Sequence, residues 1–168
     1  PVNVAVWAMG GFYLALVPSL IRAATGSTSY LVGGAMVAVL TLSGAMAIFT
    51  MRNQSATRVL TLGACLLVVG VSTIMLAVHT GNLELFFFGS WLAGSGFGCG
   101  FLGSIRSVVP LALPHERAGL MSAFYILSYL AFSLPVLLVG NLTRTFGLVA
   151  TADGFSVVLI ALALAALL

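Results

Sequence analysis

Few side chains in this 168-residue sequence are of a type that does chemistry. Its carboxylates are Glu84, Glu116 and Asp153, its histidines His79 and His115, and its thiols Cys65 and Cys99. No two of these groups stand at the spacing of metal ligands, so no metal centre is expected. Both cysteines fall inside apolar runs, where a thiol behaves as a small core residue. Gly98, Gly100 and Gly103 spell a G-x-G-x-x-G fingerprint letter for letter. A dinucleotide cradle needs a strand before that motif, a helix N-terminus at it and an acidic residue after it. Here the motif lies midway through an apolar run and the acidic residue is missing, so no cofactor is expected. Ser95, in Ala93-Gly94-Ser95-Gly96, lacks the first glycine of the Gly-x-Ser-Gly nucleophile of intramembrane proteases. The only later histidine, His115, lies in a predicted loop. No catalytic residue is assigned, and an enzyme is not expected.

What remains is polarity within apolar surroundings. Ser122, Tyr125, Tyr129 and Ser133 recur at spacings of 3, 4 and 4, which is one face of a helix. Tyrosine hydroxyls in hydrocarbon need partners, so this stripe faces either a solute cavity or a hydrogen-bonding neighbour helix. Asn3 and Trp7 share a helical face and are further cavity candidates; the competing reading sets Trp7 against lipid or packing and Asn3 at the interface. Arg106 is the only charge inside an apolar run. It either snorkels to headgroups or lines the cytoplasmic gate, where it would meet an anionic substrate.

The elements that must hold these residues follow from composition. The chain is 61% hydrophobic and 5% charged, against roughly 25% charged in soluble domains. So few charges cannot cover a soluble surface, whereas lipid solvates an apolar one. Six apolar runs predict helices over 2–21, 30–51, 59–78, 83–109, 120–139 and 155–168; the first five reach the length of about 20 residues that a membrane span needs, and the sixth reads as a truncated span. They are twice the length of a barrel strand and apolar on all sides, which excludes a transmembrane β-barrel. The expected fold is therefore all-α: one six-helix transmembrane domain. All six cationic side chains are arginine, and they are scattered. Nucleic acid, which needs clustered cations, is not an expected partner; the lipid bilayer is.

Arginine also predicts orientation. The second and fourth breaks carry Arg52, Arg58, Arg106 and Arg117; the other three carry Arg22 and Arg144. The positive-inside bias puts the richer set in the cytoplasm of a multi-pass inner (plasma) membrane protein, with both ends of the chain cytoplasmic. In the fourth helix Gly89, Ala93, Gly96, Gly100, Gly103 and Ser107 recur at spacings of 4, 3, 4, 3 and 4. Such a stripe of small residues lets a neighbouring helix approach backbone to backbone. Pro18 and Pro135 lie within apolar runs, where each removes a backbone hydrogen bond and kinks its helix. Trp7 and Gly10 align with Trp91 and Gly94 at an offset of 84, half the chain. Three helices per half would make the second half an inverted copy of the first, a construction of secondary transporters.

Three stretches carry a family resemblance: VWAMGGFYLALVPS at 6–19, the glycine-rich fourth helix, and PHERAG at 114–119 followed by Tyr125, Tyr129, Pro135 and Gly140. Together they resemble helices seven to twelve, the C-terminal half, of an efflux-type bacterial major facilitator superfamily transporter. The loop MRNQSATR at 51–58 keeps two arginines but lacks the glycine and aspartate of the family's loop signature. The resemblance implies a six-helix half of three-plus-three inverted repeats. It also implies alternating-access transport of a small-molecule substrate as proton-coupled efflux, and a fragment whose missing N-terminal six-helix half completes the site. A proton-coupling acid would belong to that half, since no carboxylate lies at mid-span here. The competing reading is a non-transporting six-helix structural or assembly subunit.

Overall fold

The computed structural model describes residues 2–26 and 29–167. They form six helices: α1 Val2–Thr25, α2 Tyr30–Met51, α3 Ala56–Thr80, α4 Leu83–Val108, α5 Arg117–Phe146 and α6 Leu148–Leu164. A single 3-10 turn, Val109–Leu111, extends the end of α4. Among the described residues there is no strand. The first five helices are long and apolar enough to cross a membrane, and α6, at 17 residues, is a shorter apolar helix. Their outward faces carry Leu31, Phe49, Leu127 and Leu137, all largely exposed. That surface is costly in water and natural against lipid tails. The fold is that of a helical membrane bundle.

The largest departures from the expected boundaries lie between α5 and α6. The fifth helix does not stop at 139, and the sixth does not start at 155. The expected loop over 141–154 shrinks to Gly147, whose φ of 84° turns the chain between α5 and α6. Polar residues signalled a loop there, but they do not break a helix. Thr143 and Thr145 return their hydroxyls to the carbonyls of Gly140 and Asn141, so the last turns of α5 carry polar groups that remain hydrogen-bonded. Likewise α3 starts at Ala56 and includes His79 in its last turn, where a loop residue was expected.

The turn between α3 and α4 holds neighbouring helices close. Gly81 ends α3 in the left-handed region at φ 65°, and a Cβ on it would lie 2.7 Å from the carbonyl oxygen of Ala24 at the end of α1. Next to it Asn82 caps α4, its Oδ1 accepting from the amides of Glu84 at 2.8 Å and Leu85 at 3.2 Å. Glu84 stands in the first turn of α4, where the helix dipole favours an anion.

The core is organised around α4, which packs on α1, α2 and α3. Gly89, Ala93, Gly96 and Gly103 are buried against α3. A Cβ on Gly96 would lie 2.6 Å from the amide nitrogen of Leu67, and one on Gly103 2.9 Å from the Cα of Leu60. The partner helix answers with its own glycines: a Cβ on Gly70 would lie 2.7 Å from the Cα of Ala93, and Gly63 faces the backbone of Gly100. Gly100 also turns toward α1, where a Cβ would meet Val6 Cγ2 at 2.6 Å. A second row, Gly94 and Gly98, abuts Leu40, Ser43 and Gly44 of α2. The expected stripe thus covers the α3 face, with Gly100 turned to α1, and α4 is glycine-lined on the α2 face as well. Ser107, at the end of the stripe, is exposed and returns its hydroxyl to Gly103. Of the two cysteines, Cys99 is buried and Cys65 is exposed on the outer surface, so Cys65 is not the core residue its apolar setting suggested.

Candidate functional site: an aromatic groove

Four helices contribute to one concave region. A groove of about 350 Å3 is lined by Trp7 and Gly10 of α1, Thr41 of α2, Phe97 and Phe101 of α4 and Phe132 of α5, together with aliphatic neighbours. No residue of α3 or α6 lines it, and neither does any charged side chain. Thr41 satisfies its hydroxyl on the carbonyls of Val37 and Ala38 in its own helix. The groove wall is therefore apolar and aromatic. Gly10 makes this possible: a Cβ there would lie 3.3 Å from Phe97 and 3.6 Å from Phe132, so the missing side chain lets both rings reach the α1 backbone. The carbonyl of Phe132 also abuts Gly11, which seats α5 on α1.

Trp7 is the centre of the aromatic cluster. Its ring lies 5.3 Å from Tyr129, 6.0 Å from Phe101, 6.3 Å from Phe97 and 6.4 Å from Phe132, centroid to centroid. Three of these contacts are edge-to-face, the geometry that the ring quadrupole prefers. The indole Nε1 is enclosed and has no hydrogen-bond partner. One helical turn away, Asn3 donates its Nδ2 to Ser128 Oγ of α5 at 2.8 Å, while its Oδ1 is enclosed and unpartnered. Asn3 borders a second cavity of about 370 Å3, shared with Ser104, Ser107 and Phe124.

The α5 stripe does not enter the core. Ser122, Tyr125, Tyr129 and Ser133 are all exposed, Tyr129 at 60%. The hydroxyls of Ser122 and Ser133 are satisfied by the carbonyls of Ala118 and Tyr129 within α5. Neither serine bridges to another helix. The interhelical bond of this helix is made instead by Ser128, which the stripe spacing passed over. Tyr125 and Tyr129 lie side by side with centroids 6.4 Å apart, and Tyr129 joins this surface to Trp7. Trp7 and Tyr129 thus come together, Asn3 bonds Ser128 instead, and Ser122 and Ser133 are exposed on α5.

Arg106 is held away from the groove. Its guanidinium donates to the carbonyl of Gln54 at 2.8 Å and to that of Arg52, pinning the α2–α3 turn onto α4. Those carbonyls belong to the C-terminal end of α2, where the helix dipole welcomes a cation. Arg52 in turn lies over the ring of Phe49 at 4.3 Å. At the opposite end of α3, His79 Nε2 is 3.4 Å from Asp153 Oδ2 of α6.

A third polar cluster lies in the core and gave no sequence signal. Tyr13, Met36 and Ser90 are fully buried. The Tyr13 hydroxyl is hydrogen-bonded to Ser90 Oγ and lies 3.5 Å from the carbonyl of Met36, and Ser90 Oγ also reaches the carbonyl of Phe86 at 2.5 Å. It ties α1, α2 and α4 together. Tyr13 stands in the middle of an apolar run with no partner nearby in sequence, so only the packing of three helices reveals its role.

Among the described residues no cluster of three or more His, Cys, Asp or Glu side chains could hold a metal ion. Comparison with protein-family models, with curated proteins and with solved structures finds no match to this chain.

Proposed function

We propose that this protein moves a small solute across a membrane by secondary active transport, as one six-helix lobe of a two-lobed transporter of the major facilitator type working by alternating access. The observation that carries this reading is the aromatic groove. It is built from α1, α2, α4 and α5 alone, contains no charge, and adjoins an exposed face of α5 bearing two tyrosines. A second lobe set against that face would enclose the groove near mid-membrane, where transporter sites lie.

The helix contacts support the inverted-repeat construction. Exchanging α1, α2 and α3 for α4, α5 and α6 turns the α2–α4 contact into α5–α1 and the α3–α4 contact into α6–α1, while α1–α4 and α3–α6 map onto themselves; these contacts occur, whereas the smaller α1–α2, α1–α3 and α5–α6 contacts have no comparable counterparts. Gly10 and Gly94, aligned at the offset of 84, pack on the corresponding helices α5 and α2. The proposed direction is export coupled to protons, with the coupling acid on the companion lobe, because Glu84 stands in the first turn of α4 and Asp153 of α6 is paired with His79. The proposed orientation places Arg52, Arg58, Arg106 and Arg117 in the cytoplasm of the inner membrane, with both ends of the chain on that side.

Membrane vesicles from cells producing the protein from its native reading frame test the function. A solute panel is screened for flux that collapses with the proton gradient and falls in Trp7→Ala. Absence of such flux, with the helical fold intact, would leave a structural or assembly subunit as the reading. Orientation is tested by cysteine labelling of intact cells with an impermeant reagent. Asn53→Cys and His115→Cys should stay unlabelled, and Thr80→Cys and Thr145→Cys, both exposed, should react; the reverse pattern overturns the orientation.

A further inference from the structure

The aromatic groove presents no free hydrogen-bonding side chain to an occupant. Among the described residues that line it, the one hydroxyl is that of Thr41, which is taken up by the carbonyls of Val37 and Ala38. The indole Nε1 of Trp7 is enclosed, so it is not presented to the groove. No charged side chain lines the groove either, and desolvating an ion there would go uncompensated. What the groove does present is rings. Trp7, Phe97, Phe101 and Phe132 stand on α1, α4 and α5, while α2 contributes the short side chains of Thr41 and Ala45. Leu14, Thr41 and Ala45 are exposed, so the groove is open along that rim. Its volume of about 350 Å3 lies within the range of small-molecule pockets, about 300–1,000 Å3.

The membrane decides which apolar molecule gains by entering. An acyl chain moving from the bilayer into this groove exchanges one apolar surrounding for another, because lipid tails are as apolar as leucine. It also loses rotor freedom once held. A rigid aromatic molecule gains the stacked and edge-to-face contacts that lipid tails do not supply, and Trp7 already meets Phe101 and Phe132 edge to face. We propose that the groove binds a rigid, planar, uncharged aromatic solute and selects it by ring contact, without a hydrogen bond or an ion pair. Phe97, Phe101 and Phe132 are then specificity-determining residues. The inference rests on the reading of this groove as the solute site.

Four labelled probes on one skeleton test it: anthracene, its saturated counterpart perhydroanthracene, anthracene carboxylate and anthracenylmethylammonium. Binding is measured by equilibrium dialysis on the full chain in lipid nanodiscs. Empty nanodiscs are subtracted, so that only what the protein adds to lipid is counted. Anthracene should bind about tenfold more tightly than each of the other three. Phe101→Leu keeps an apolar side chain and removes a ring; it should weaken anthracene about fivefold and leave perhydroanthracene unchanged. Ala45→Leu fills the groove from its exposed rim and should weaken anthracene about tenfold; it carries the test alone if Phe101→Leu loses its helical circular dichroism. Equal affinity for perhydroanthracene would make the groove a seat for any hydrocarbon, lipid chains included, and would overturn the proposal. Tightest binding of either ion, or indifference of anthracene to both substitutions, would do the same. Depletion of anthracene from vesicle membranes under a proton gradient separates the two readings. Selective binding without depletion upholds the ligand class and removes the transport reading. Gradient-driven flux of a charged solute that is lost in Trp7→Ala, with no anthracene binding, does the reverse.

Discussion

The α3–α4 interface and the α1–α5 face solve opposite problems. Between α3 and α4 the side chains are nearly absent. Gly63 and Gly70 meet Gly100 and Ala93, and Gly96 meets the backbone of Leu67. Lipid tails are as apolar as leucine, so there is no hydrophobic gain in bringing these helices together; close backbone contact supplies the attraction instead. Between α1 and α5 the side chains are large, aromatic and partly polar, and they leave a groove and two unpartnered polar atoms. The first arrangement spends its sequence on stability. The second forgoes some packing and retains unmet hydrogen-bonding capacity.

The strongest way to break this comparison is to fill the tight interface. Gly96→Leu places a Cβ 2.6 Å from a backbone nitrogen that cannot yield, and overpacking of this kind costs about 1–3 kcal/mol or more. Folded yield and thermal stability in detergent should fall sharply. Gly140→Leu is the control: nothing lies within 4 Å of a Cβ there, and exposed changes of this kind stay within about 0.5 kcal/mol. If both variants behaved alike, close packing would not be what holds α3 to α4.

Tyr13→Phe is expected to be intermediate. It removes the bond to Ser90 and leaves Ser90 its carbonyl partner on Phe86, a loss of about 1 kcal/mol for one buried hydrogen bond. A lower unfolding midpoint with unchanged helical content would check it. Asp153→Asn comes next. The pair with His79 is 3.4 Å long and the histidine is 53% exposed. Solvent screening holds such a pair to below about 1 kcal/mol, so the unfolding midpoint should move little. The smallest stability effect is expected of Tyr129→Phe, whose hydroxyl is exposed and unbonded; the change should stay within about 0.5 kcal/mol. That variant therefore sharpens the comparison from the other side. Any loss of solute affinity in it would belong to binding, because stability is unaffected.

The helices themselves were legible from composition and run length, because lipid imposes one secondary structure on any long apolar segment. The glycine row facing α3 was equally legible, since its 3-and-4 spacing is the helical repeat itself. Its counterpart facing α2 was not: Gly94 and Gly98 are one turn apart, but no spacing rule says which of two glycine faces meets which neighbour. The α5–α6 connection misled in the opposite sense, because polar residues mark a membrane boundary as readily as a loop, and only Gly147 breaks the helix. The tyrosine stripe was visible as a pattern, yet its exposure was not.

What the sequence alone determined is the class of object: an apolar set of helices with arginines flanking the breaks between them. Tertiary structure decided which helices enclose the groove, that Asn3 binds Ser128, and that Tyr13, Met36 and Ser90 form one buried node. It also decided that Arg106 holds the carbonyls of Arg52 and Gln54 instead of a ligand. The reason is physical. Helix formation in lipid is local and set by each segment's own backbone, whereas these contacts join residues 23 to 125 positions apart. They depend on which small residues let which helices approach, and that is settled only when all six are packed.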